Sequence, residues 1–107
     1  MADGENLARV AAQFFAAACE LAWSTESLQE RLADAYADHL LAITNDDLPA
    51  DLQPVFRELE AAMNRDDVDT DEDPFLAAAR TLTDDQAKAL IERILLLYAR
   101  LASSATS

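Results

Sequence analysis

The sequence predicts an all-α protein, a compact bundle of four main amphipathic helices plus one short helix. Three observations predict it. Apolar residues recur at the three-and-four spacing of a helix face along most of the chain. Two capping signals, Ser27-x-x-Glu30 and Thr83-x-x-Gln86, stand directly before apolar stripes. One Gly and three Pro in 107 residues leave strands and hairpins without their usual turn chemistry. The length suits a single domain over 1–107, which can bury about two thirds of its unfolded surface.

Helix 1 is expected over about 5–23, with Asp3 placed to cap it. Leu7, Val10, Ala11, Phe14, Ala18 and Leu21 share a face, which Phe15, Cys19 and Ala22 widen. Cys19 reads as a small apolar filler at the core edge. Trp23, off the stripe at the helix end, either covers the turn Ser24–Glu26 or stands exposed for a partner.

Helix 2 is expected over about 27–44 and has the clearest helix signature. Ser27 and Glu30 form a capping box. Leu28, Leu32, Ala35, Tyr36, His39 and Ile43 fall on one face at about 100° per residue. The only imidazole, His39, is therefore expected to point inward. Leu41 lands on the polar side.

Helix 3 is expected over about 49–64, with Leu52, Val55, Phe56, Leu59 and Met63 as its stripe. Pro49 suits a first turn. Pro54 is tolerated if the regular helix begins near Leu52 and kinks the helix otherwise, and a one-turn lead-in followed by a regular helix to about Asn64 is expected. Helix 4 is short, about 74–82, with Asp73 as cap and Pro74 at its first position. Helix 5 spans about 84–102 behind the Thr83 box, with Ala87, Leu90, Ile91, Ile94, Leu97, Tyr98 and Leu101 inward. Leu96 falls nearly opposite that stripe. The tail 103–107 is expected to fray.

Composition excludes several functions. A single Cys permits no internal disulfide and no cysteine zinc cluster, which suits a reducing cytoplasm. No signal peptide is expected in MADGENLARV, and no run approaches 18 uncharged apolar residues. The net charge of −13 argues against direct binding to nucleic-acid phosphates or anionic membrane. The charge is regional: Asp46 to Asp73 holds eleven acidic and two basic residues.

The loop Arg65–Asp73 invites a calcium reading, because Asp67, Asp69 and Asp71 have the first, third and fifth spacing of an EF-hand loop. The sixth position, where the sharp turn needs Gly, is Glu72, and the twelfth is Ala78. A solvated acidic loop or a docking patch for a basic partner fits better. His39 has no Glu three residues before it, since position 36 is Tyr, so the diiron pairing of helical bundles is missing. The only Gly is at position 4, leaving no glycine-built oxyanion hole or phosphate loop. No catalytic residue, metal or cofactor is expected.

The run SLQERLADAYADHL, then DLP at Asp47–Pro49, then a Thr-capped last helix ending LLLYARL, resembles a group of small helical bacterial proteins of unassigned function. The resemblance covers Ser24–Leu101. It implies an all-helical fold and a bacterial or mobile-element origin, and it carries no activity. Asp71-Glu72-Asp73 stands where those proteins suggest a glycine.

The expected function is a non-enzymatic, cytoplasmic accessory, regulatory or adaptor protein whose protein partner has a basic surface; a homodimer is a second arrangement. Candidate partner-binding residues are Trp23, Leu41, Asp46, Asp47, Asp66, Asp67, Asp69, Asp71, Glu72, Asp73 and Leu96. The alternative is a nucleic-acid mimic with carboxylates placed where phosphates would sit. A third class is an enzyme working through His39.

Overall fold

The computed structural model of the chain describes residues 4–64 and 74–106, and side chains within 6–64 and 74–103. Within them the protein is an all-α bundle: α1 Gly4–Trp23, α2 Leu28–Ala35, α3 Gln53–Met63, α4 Pro74–Arg80 and α5 Asp84–Thr106. The expected caps Asp3 and Asp73 and the loop Arg65–Asp73 lie outside the described residues.

The Thr83–Gln86 box is complete, whereas at Ser27 only the cap half of the expected box is formed. The Ser27 hydroxyl accepts from the Glu30 amide at 3.2 Å. At α5 the Gln86 amide donates to Thr83 Oγ1 at 3.1 Å, and Gln86 Oε1 accepts from the Thr83 amide at 2.9 Å. Each pair satisfies amides that the first helical turn leaves without partners.

The core is one cluster drawn from all five helices. Val10, Phe14, Leu32, Tyr36, Leu40, Phe56, Leu59, Ile94, Leu97 and Leu101 are buried within it. Phe14 and Phe56 meet edge to face, with ring centroids 6.1 Å apart. Gln29, in the first turn of α2, donates to Leu82 O at 3.1 Å and Asp84 Oδ1 at 3.0 Å. These bonds hold the start of α5 beside the start of α2, which follows α1 after a short turn, so α5 runs back along α1. The rings of Phe15 and Tyr98, 5.6 Å apart, mark their middle.

Helix 3 keeps its expected form: a lead-in turn closed by the Leu52 amide on Pro49 O at 3.0 Å, then a regular helix from Gln53, so Pro54 falls in its first turn and no kink results. The chain before it forms a one-turn 3₁₀ helix, Asn45–Asp47. Other boundaries differ from the sequence reading. Helix 4 stops at Arg80. Helix 5 continues to Thr106 where a frayed tail was expected.

The largest difference is in helix 2. After Ala35 the backbone opens into a π turn, Tyr36–Leu40, and the helix ends there instead of at residue 44. Three residues of α-helix advance about 300°. In the wider i→i+5 turn they advance about 245°. His39 therefore rotates away from the direction of Tyr36, and its side chain is 28% exposed. Leu40, absent from the expected stripe, is fully buried in the core. The inward histidine read from a uniform helical period is thus corrected.

Candidate functional site

Two features stand apart from the core: an apolar face on α1 and α5, and a histidine–carboxylate cluster between α1 and the π turn.

On α1, Ala8, Ala12, Phe15, Cys19, Ala22 and Trp23 fall within an arc of roughly 100° when each residue turns the helix by 100°. Phe15 is 52% exposed and Trp23 72%. Ala8, Ala12 and Ala22 are exposed and Cys19 is half-buried. Phe15 and Ala22 therefore do not widen the core stripe as the sequence suggested; they belong to a second apolar side. The face continues onto α5, where Tyr98 packs on Phe15 and Leu95, three residues earlier, is 44% exposed. No charged residue lies between Arg9 and Glu20 on α1. Scattered exposed apolar residues are ordinary, and a joined apolar face across two helices is a candidate contact surface.

The residues singled out from the sequence divide. Trp23 is exposed, at the end of this face, and does not cover the turn. Leu41 is 51% exposed just past the π turn. Leu96 is exposed but lies in a groove of about 360 Å³ between α3 and α5, lined also by Val55, Glu58, Ala89, Glu92 and Arg93. Glu58 and Arg93 pair across that groove at 2.6 Å. Leu96 is thus not on the α1 face.

Asp46 is exposed, whereas Asp47 is half-buried. Asp47 Oδ2 accepts from the Thr44 amide at 2.9 Å and from its hydroxyl at 3.1 Å. Its other oxygen lies 3.6 Å from Arg9 Nη2. The Thr44 amide above all, then the hydroxyl and Arg9, hold this carboxyl below its usual pKa against a smaller opposing effect of burial. Asp47 is therefore a turn-capping residue. Asp66, Asp67, Asp69, Asp71, Glu72 and Asp73 lie outside the described residues.

The second feature was not read from the sequence. His39 Nε2 lies 2.9 Å from Glu20 Oε1, and the adjacent Asp38 brings a second carboxylate. One ligand-type atom from each of the three lies within 4.8 Å of the other two. Glu20, on α1, is 16% exposed and Asp38 is at the surface. Burial raises the Glu20 pKa, and the Asp38 carboxylate raises it further, against the pull of the hydrogen bond to His39. A signal did exist: Glu20 is the only charged residue from Val10 to Thr25.

No protein family, curated protein or solved structure matches the chain.

Proposed function

We propose that this protein is non-enzymatic and works through protein–protein contact, as an accessory, regulatory or adaptor subunit in a bacterial cytoplasm. The observation that carries this reading is the uncharged face of Phe15, Trp23, Leu95 and Tyr98 on α1 and α5. α1 has 20 residues, so it is about 30 Å long. The exposed apolar residues on it, Ala8 to Trp23, cover about 22 Å of that length, and Leu95 and Tyr98 of α5 widen the patch beside Phe15.

The occupant we infer is a protein whose own apolar patch is ringed by Lys and Arg. The net charge of −13 supports it, since opposite charge steers encounter while the apolar centre holds the complex. A second copy would bring like charge together.

Capture from the native cell with wild type, Phe15→Glu and Leu95→Glu as bait tests this. The expected result is one basic-surfaced protein held by wild type and reduced at least tenfold with either variant. Equal capture by all three baits would overturn the assignment of this face. Sedimentation at rising concentration separates the second-copy arrangement, which predicts a doubled mass for wild type and not for Phe15→Glu. Capture of a nucleic-acid-binding protein that salt alone releases, indifferent to Phe15, would favour mimicry through Asp46–Asp73.

A further inference from the structure

Among the described residues, Glu20, Asp38 and His39 are the one group of three metal-ligand-type side chains within reach of one another. It gathers the chain's only imidazole and two carboxylates from two elements that pack together, α1 and the π turn. Sequence neighbours on a regular helix diverge by about 100°. In the wider π turn the divergence of Asp38 and His39 is smaller, about 80°, and both reach the Glu20 side of α1.

We propose that Glu20, Asp38 and His39 form a binding site for a divalent transition-metal ion of the zinc type, with three protein ligands and the remaining coordination left to water.

The donor set selects the ion class. One imidazole nitrogen with two carboxylate oxygens suits zinc and its first-row neighbours, whereas calcium and magnesium take oxygen ligands throughout. Zinc bonds of about 2.0–2.2 Å place tetrahedral ligand atoms roughly 3.3 Å apart. The Glu20–His39 separation of 2.9 Å opens by a few tenths of an ångström to reach this. A carboxylate oxygen of Asp38 lies within 4.8 Å of both, and its surface position leaves it room to adjust. Glu20 and His39 are each partly sheltered by α1 and the π turn, so two of the three ligands are already placed.

Charge supports the same assignment. Two carboxylates beside one imidazole carry more negative charge than the histidine can offset even when protonated. A dication would neutralise both acids. The hydrogen bond between His39 and Glu20 is the metal-free arrangement of the same groups, and the ion would replace the proton they share.

The single histidine makes the test direct. The chelator-treated full chain is titrated with zinc chloride, with calorimetry for stoichiometry and nitrogen NMR of the only imidazole for the site. The expected result is one zinc per chain and a large shift of His39 Nε2. Glu20→Gln and His39→Gln should each weaken binding at least tenfold, with helicity by circular dichroism unchanged. The triple variant Asp67→Asn, Asp69→Asn, Asp71→Asn should bind as wild type does. An imidazole signal unmoved by saturating zinc in the wild-type chain would overturn the proposal without reliance on any variant. So would binding that survives Glu20→Gln and His39→Gln and disappears with the triple variant, which would place the ion in the acidic loop.

Discussion

The side-chain amide of Asn64 donates to the hydroxyl of Tyr36 at 2.9 Å, joining the end of α3 to the first residue of the π turn. The bond gives a polar partner to a ring that is 2% exposed and lies 5.3 Å from the ring of Phe75. Burial foremost, with Glu60 adding to it, raises the Tyr36 pKa above 10.0, against the Asn64 hydrogen bond. A raised phenol pKa means that the unfolded chain loses its proton first. Stability is therefore full below about pH 10 and falls as pH rises toward the folded value. Tyr36→Phe should lose about 0.5–1.5 kcal/mol at neutral pH through the missing bond. The same variant should show a weaker loss of melting temperature above pH 10 than wild type, in paired thermal scans.

The phase shift of the π turn predicts opposite fates for adjacent leucines. Leu40 is fully buried and Leu41 is 51% exposed. Leu40→Ala should cost about 2–5 kcal/mol and Leu41→Ala less than about 0.5 kcal/mol, measured by urea unfolding. Similar losses for both would contradict the π turn.

Asp47 and Thr44 form a reciprocal cap. Asp47→Ala should lower stability by about 1 kcal/mol at pH 7. The sign with pH follows from a carboxyl held below 3.8. Its contribution is present above the ordinary carboxylate range and disappears as pH falls through the folded value. Wild type and Asp47→Ala should therefore converge in melting temperature in strong acid. A gap that stays constant from pH 7 to pH 2 would rule this out.

Glu20 predicts the reverse. Its pKa is raised above 4.5, first by burial. The ionised carboxylate is thus disfavoured in the fold, and the associated stability is lost as pH rises from about 4.5 through the folded value. In chelated buffer, Glu20→Gln should match wild type near pH 4 and melt at a higher temperature near pH 7. A variant less stable than wild type at pH 7 would show that the bond to His39 outweighs burial and Asp38.

The helices were legible because their signals are local. Ser27, Thr83 and Pro74 act within one turn of themselves, and the α3 and α5 stripes follow a uniform period. The π turn was not legible, since nothing in YADHL departs from helical preference, and the burial of both its ends, Tyr36 and Leu40, is a tertiary outcome. That one change in pitch displaced His39 from the core and hid its pairing with Glu20. The exposed face of α1 was missed for a different reason. Alanine and phenylalanine satisfy a core and a contact surface equally well, and only the position of α5 decides which side of α1 is covered. The α5 tail ran past its expected end because Ser103 and its neighbours have no strong stop signal among them.

A helix with a π turn carries one residue more than a straight path through the same core requires. A homologue lacking one position between Tyr36 and Leu40 would keep its leucine near the core on a regular helix and part its histidine from the carboxylate of α1. An alignment of such sequences would show a single gap at the histidine–carboxylate cluster. The gap would separate lineages that can assemble the cluster from those that cannot, while their hydrophobic cores remained interchangeable.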